Sequence, residues 1–245
     1  MRLAFQFLTI ISIRISKPIA DRDLAASMRW YPVVGAFIGG LSAAFYLLSL
    51  QFFSPGAASV AGVVGLIVFS GALHIDGFAD TCDGFYGQRD RADILRIMKD
   101  SHVGSMAVVG VFGLLALKIA FLSGLEPRHG MLALVAAATL GRWSMVWHAA
   151  ASTYARAEGG TASAYIGHVD RQTFWIATLS CAGVLFAALQ VRGLLVMLIA
   201  VLGTWLFRRG VEGRLGGMTG DTLGASCECV ELLTLAALCF HGGWF

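Results

Sequence analysis

Charge is scarce in this chain. Only 13% of its 245 residues are Asp, Glu, Lys or Arg, against roughly 25% in a soluble globular domain. With 57% hydrophobic residues and a mean hydropathy of +0.74, most of the surface does not face water. Basic runs and aromatic–basic alternation are missing behind the net charge of +3, which excludes nucleic acid as a partner. No CxxC pair is present. Cys227 and Cys229 stand too close for a zinc-type pair, and Cys82, Cys181 and Cys239 lie apart, most of the five in apolar runs. They read as small apolar side chains rather than metal ligands or disulfides. No small-residue cleavage site follows the apolar stretch from Met1 to Ile13, which therefore reads as a retained interfacial or partly inserted helix rather than a signal peptide. Internal repeats and low-complexity linkers are lacking too, so the expectation is a single integral membrane domain over 1–245.

What is present is a series of apolar runs. A spanning helix needs about 20 mostly apolar residues, and seven stretches qualify or nearly so: 31–50, 57–75, 105–123, 131–150, 173–190, 193–207 and 222–240. The fifth and sixth read as a hairpin around Arg192 and Gly193, with the sixth short and tilted or displaced. The predicted fold is all-α: a polytopic integral membrane helix bundle of about seven transmembrane helices plus interfacial amphipathic helices. One of the latter is expected over 85–103, where Ile94, Leu95, Ile97 and Met98 alternate with charges. Gly35 with Gly39, Gly62 with Gly65 and Gly110 with Gly113 permit close helix packing, within one chain or in a homo-oligomer.

Basic residues set the orientation. Arg2, Arg14, Lys17, Arg22, Arg29, Arg89, Arg91, Arg96, Lys99, Arg156, Arg171, Arg208, Arg209 and Arg214 all fall in one alternating set of connections. The opposite set holds only Arg128 and Arg192, and Lys118 and Arg142 fall inside spans. The N-terminus and the long loops are thus expected in the cytoplasm and the C-terminus outside. Candidate active-site segments 74–104, 142–160 and 214–231 then share the cytoplasmic face, whereas a transporter more often keeps its key groups at the midplane.

Asp76, Asp80 and Asp83 lie at offsets that put three carboxylates on one helix face. Crowded like charges repel unless cations bridge them. Hard divalent ions such as Mg²⁺ prefer carboxylate oxygens and bring phosphate with them, and Gly77 and Gly84 let backbone or phosphate approach. A second motif, Gly216-Gly217-Met218-Thr219-Gly220-Asp221, is a glycine-rich turn opening a helix, where free N–H groups suit phosphate. Glu228 and Glu231 continue the stripe from Asp221, Glu231 lying about 15 Å further along. Carboxylates at that depth need a metal, a cavity or a cation, and Lys118 and Arg142 are the intramembrane cations. Arg142 sits in the cytoplasmic half of its helix; for Lys118 an ion pair and a catalytic role both stay open. Arg156 suits a bidentate phosphate clamp. Asp100 with Ser101 and His102, and Glu158, are supporting candidates, and His74 is either a general base or a packed histidine. Phosphate chemistry at a bilayer surface accounts for these groups. A cation carrier using the acidic cluster, or a membrane scaffold, is the alternative.

The run His74-Ile75-Asp76-Gly77-Phe78-Ala79-Asp80-Thr81-Cys82-Asp83-Gly84 resembles the signature of the cobalamin (5′-phosphate) synthase family. So do Ile97 to Ser101, Tyr154 to Arg156 with Glu158-Gly159, and Gly216 to Ala225 followed by Glu228. Their order and spacing agree along nearly the whole chain; Phe78 stands where the family usually has Leu, and Met218 occupies a variable position. The logic of the acidic motif is also similar to that of CDP-alcohol phosphotransferases. The resemblance implies a Mg²⁺-dependent enzyme of the bacterial cytoplasmic (inner) membrane in the late steps of vitamin B12 assembly. Such an enzyme joins adenosylcobinamide-GDP to α-ribazole, or its 5′-phosphate, and releases GMP. On that basis Asp76, Asp80 and Asp83, with Asp221, are expected to hold one or two Mg²⁺. Asp83 or else Glu228 serves as base, and Arg142, Arg156, Gly217, Thr219 and Gly220 hold phosphate.

Overall fold

The computed structural model describes residues 1–15 and 18–240. Apart from one isolated bridge between Tyr154 and Met218, the described residues form helices and their connections. In chain order the helices are α1 (Arg2–Leu8), α2 (Asp21–Ser27), α3 (Tyr31–Ser49), α4 (Pro55–Phe69), α5 (Leu73–Phe85), α6 (Arg91–Ile97), α7 (Ser105–Ser123), α8 (Pro127–Ala151), α9 (Arg171–Leu189), α10 (Val191–Leu215) and α11 (Gly220–Cys239). Short 3₁₀ turns, Met28–Trp30 and Thr161–Ala164, join α2 to α3 and precede α9. Among the described residues, six helical stretches are long and apolar enough to cross a bilayer, and α4 with α5 adds a seventh if that bent pair is one passage. The chain is a multi-pass membrane helix bundle of the all-α class.

α8 is the central helix because its side chains are small. Ala133, Ala136, Ala137, Ala138 and Gly141 lie buried along it. Between helices in lipid, contact rather than water exclusion supplies the attraction, so small residues at the crossing matter. A Cβ on Gly39 of α3 would stand 2.6 Å from the Val135 Cα of α8, and one on Gly35 would strike the Ala138 carbonyl. α11 lies on another side of α8, where Gly141 abuts Cys227. α7 and α10 are peripheral; Val108, Phe112, Leu198 and Leu206 point outward from them.

Four sequence expectations change. The stretch 57–75 is not one straight span. α4 ends at Phe69, Gly71 and Ala72 both take left-handed φ values of 64° and 58°, and α5 leaves at 93° to α4. The 15 residues of α4 reach about 22 Å, short of a hydrocarbon core of roughly 30 Å. The stretch 193–207 is part of a 25-residue helix, α10, which runs on to Leu215 because Arg208 pairs with Glu212 one turn later and Arg214 is anchored beyond it. Within 85–103 only α6 is helical, capped by the Asp90 carboxylate on the Asp93 N–H, with Ile94 buried and Arg96 paired to Asp93 on the water side. Gly113 faces open space rather than a neighbouring helix.

Candidate active site

The three aspartates lie on α5, and α5 lies on the start of α11. A Cβ on Gly77 would stand 2.7 Å from the Asp221 carbonyl oxygen, and one on Gly224 would stand 3.0 Å from that of His74. Two glycines thus let the backbones touch and bring the second acidic motif onto the first. Asp80 feels the charges of Asp221, Asp76 and Asp83, opposed by the Arg156 guanidinium. Backbone and arginine bonds tie the surrounding loops to this end of the bundle. Ala155 N–H donates to the Met218 carbonyl and Met218 N–H to that of Thr153, each at 2.9 Å. Arg91 donates to the Ala155 carbonyl at 2.6 Å, and Arg214 to those of Phe85 and Gly87 at 2.7 and 2.9 Å. Segments 76–104, 151–172 and 208–221 therefore meet in space.

Within this assembly each residue has a definite station. Arg156 donates to Asp221 Oδ2 at 3.0 Å and, more weakly, to the Leu95 carbonyl at 3.4 Å. Thr219 is the N-cap of α11: its hydroxyl accepts from Thr222 N–H, and Thr222 Oγ1 accepts from Thr219 N–H at 2.8 Å. That reciprocal pair is a capping box, and Gly220 follows as the first helical residue. Gly217 has a packing duty, because a Cβ there would stand 3.2 Å from the Ala155 nitrogen across the loop bridge. Asp83 points away to α7, which has no side-chain cap of its own. Its two oxygens accept the Gly104 and Ala107 N–H groups at 2.7 and 2.9 Å, the helix terminus being where backbone donors lack partners. Asp100 is exposed and bonded to His102 Nδ1 at 2.6 Å, which holds its carboxyl below the usual range and raises the imidazole above its own.

Lys118, Arg142, Glu228 and Glu231 are met by one another, not left open for phosphate. Lys118 Nζ lies 2.6 Å from Glu228 Oε2 and 2.6 Å from Glu231 Oε2, and Arg142 bonds the other oxygen of Glu231. All four are almost fully buried. Two cations against two carboxylates leave the cluster neutral, which is the condition for keeping charges in lipid-embedded protein. In the last turn of α8, His148 bonds Ser226, which donates to Ser144.

Asp221 lines two hollows. The first, of ≈ 250 Å³, is lined by His74, Asp76 and Asp221 and, among its apolar walls, by Phe7, Tyr31 and Met145. His74 is 1% exposed and neither ring nitrogen has a hydrogen-bond partner. The second, of ≈ 240 Å³, is polar, with Lys99, Tyr154, Arg156 and Glu158. Thr161, Ala162, Gly220 and Asp221 line both. Among the described residues no three His, Cys, Asp or Glu side chains converge as a ready-made metal cage.

Residues 1–239 match the sequence model of the family described as cobalamin-5-phosphate synthase. The chain belongs to the cobalamin-5-phosphate synthase family. Relatives named adenosylcobinamide-GDP ribazoletransferase agree over nearly their full lengths. One from Desulforamulus reducens is 38% identical over 94% of this chain and 92% of its own. One from Chlorobium phaeovibrioides is 39% identical over 96% and 94%, and one from Clostridium novyi 32% over 98% and 96%. No solved structure matches. Membership of the synthase family makes the chain an enzyme rather than a carrier or scaffold.

Sequence reasoning missed several residues around this synthase site. Phe7, Tyr31 and Tyr165 wall the apolar hollow, with Phe7 and Tyr165 rings 5.4 Å apart, yet they come from α1, α3 and a loop and carry no motif. Arg214, seen only as a topology signal, holds the end of α5. The one available sign was that Tyr165 sits in a polar loop where an aromatic ring needs something to cover.

Proposed function

We propose that this synthase transfers the adenosylcobinamide-phosphate group of adenosylcobinamide-GDP to α-ribazole, or its 5′-phosphate, with release of GMP. A ribose hydroxyl oxygen of the acceptor forms the new bond to the phosphorus next to the corrinoid. The bond from that phosphorus to GMP breaks, and the hydroxyl proton passes to a carboxylate. The observation that carries this reading is the seating of Asp221 on Gly77, which gathers both acidic motifs in a chain of this family.

Oxygen donors of Asp76 and Asp221 suit Mg²⁺, which leaves Asp80 uncommitted. That ion keeps several waters and binds through one or two carboxylates plus substrate phosphates, so no closed cage of protein ligands is required. When bound, Mg²⁺ offsets charge on the diphosphate and on the departing GMP. Asp83, with both oxygens already accepting N–H bonds, fixes α5 against α7, and Asp80 is the better proton acceptor. Arg156 steadies Asp221 and reaches phosphate oxygens from the polar hollow. The protein chiefly positions the reactants and offsets charge. The excess of Lys and Arg on one set of loops supports a cytoplasmic placement of this face and the N-terminus, with the C-terminus outside, and a cytoplasmic face fits an enzyme of the inner membrane.

The test is GMP formation by the detergent-solubilised protein given both substrates. Asp76→Asn and Asp80→Asn are expected to abolish it while melting like the wild type, and EDTA to stop it until Mg²⁺ is returned. Undiminished GMP release from either variant, or full activity in chelator, removes the acidic face from the mechanism.

A further inference from the structure

We propose that the apolar hollow beside Asp76 seats the aromatic base of the acceptor, with His74 donating a hydrogen bond to its free ring nitrogen, while the polar hollow takes the leaving nucleotide. This rests on the transferase reaction above and names the subsites it needs. In-line displacement at phosphorus requires the attacking and leaving oxygens on opposite sides. Two hollows that meet at Asp221 and share Thr161, Ala162 and Gly220 give the acceptor and the leaving nucleotide separate places about it.

Chemistry decides which substrate enters which. A cavity of about 150 Å³ takes a single benzene ring, so ≈ 250 Å³ accommodates a fused bicycle but not a corrin, which must remain outside. Both substrates offer a bicycle. Guanine carries a carbonyl, a ring N–H and an amine along one edge; with Asp76 and Asp221 taken up by the metal, burying that edge against Phe7, Met145 and Leu223 leaves it short of partners. The dimethylated benzimidazole of α-ribazole has an apolar rim and, beyond its glycosidic nitrogen, one unsubstituted nitrogen that accepts. The hollow offers two neutral side chains whose buried polar atoms have no partner, the His74 imidazole and the Tyr31 hydroxyl, and of these the imidazole is the flat heteroaromatic donor. Buried polar groups are rarely left unbonded, and an imidazole N–H matches a lone acceptor in an apolar wall. Arg156, Lys99 and Glu158 on the other side suit the phosphate and the polar edge of a guanine nucleotide.

Steady-state kinetics with varied acceptor test this. His74→Phe keeps a flat ring and removes the donor; it is expected to raise the KM for α-ribazole about tenfold and leave the KM for adenosylcobinamide-GDP unmoved. His74→Gln, which restores an N–H, is expected to recover part of the loss. A ribosyl-indole acceptor, with carbon in place of the free nitrogen, should show the same tenfold penalty with the wild type and none with His74→Phe. Because the analogue is also compared on the wild type alone, the test survives a variant that fails to fold. Equal KM for the two acceptors on the wild type, or a rise in the KM for the GDP-corrinoid instead, overturns the assignment while leaving the transferase intact. Absence of any GMP from the wild type overturns the transferase itself and this assignment with it.

Discussion

Lys118→Met is the most informative single change, because the charge count around it is closed. Lys118 Nζ lies 2.6 Å from each of Glu228 and Glu231, and Glu231 is shared with Arg142. Removing the ammonium leaves two carboxylates with one cation. Glu231 keeps Arg142, whereas Glu228 loses the side chain that donates to it. Breaking a buried pair from one side costs about 3–5 kcal/mol, since the remaining charge is uncompensated. For a chain of this size about 2–4 °C of melting temperature accompanies each kcal/mol, so the variant should melt roughly 6–20 °C lower. Adding Glu228→Gln restores neutrality and should recover most of that. Cys181 and Cys227 are buried free thiols, so their reaction with a thiol-specific dye during a thermal ramp in detergent reports the unfolding directly. A single variant that melts with the wild type would falsify the charge-balance account; so does a double variant no better than the single.

Three further outcomes follow from the geometry. Gly77→Ala places a Cβ 2.7 Å from the Asp221 carbonyl, which must push α5 off α11 at a cost of about 1–3 kcal/mol and depress GMP formation; Gly40→Ala, which meets open space, is the control. Equal turnover by the two refutes the contact. Asp83→Ala removes the acceptor of two α7 amides and should cost about 0.5–2 kcal/mol, as other lost N-caps do; faster hydrogen exchange at Gly104 and Ala107 is the readout, and unchanged protection argues against it. His102 should titrate above an ordinary imidazole because Asp100 accepts from it; in an NMR titration Asp100→Asn should bring the value down, and no movement means the pair does not form in solution.

The acidic face of α5 was legible in the sequence because its spacing is a local property of one helix. The glycine turn before Asp221 was legible for the same reason. What escaped depends on partners far along the chain. Glu228 and Glu231 were read as a buried stripe in need of a cation, with Lys118 and Arg142 as the candidates, but no spacing rule connects α7 to α11, so that Lys118 meets both carboxylates was not legible. Asp83 belonged to the carboxylate stripe by position, and only the fold reveals that Gly104 and Ala107 claim it. The corner at Gly71 and Ala72 was hidden because alanine is a good helix former and gives no sign of a left-handed backbone. α10 was cut short at Arg208, since a charge ends an apolar run but does not end a helix whose next turn offers Glu212.

A right-angle corner changes how a force from the bilayer reaches the chemistry. α4 rises into lipid and must follow its thickness by leaning, while α5 departs from it sideways through two left-handed residues. At its far end α5 is pinned by Arg214 from the projecting tip of α10, and midway it rests on α11. The carboxylates thus ride a beam supported at several points rather than a cantilever. Thinning or stretching of the membrane would then be taken up at the elbow before it reached the spacing between Asp76, Asp80 and Asp221.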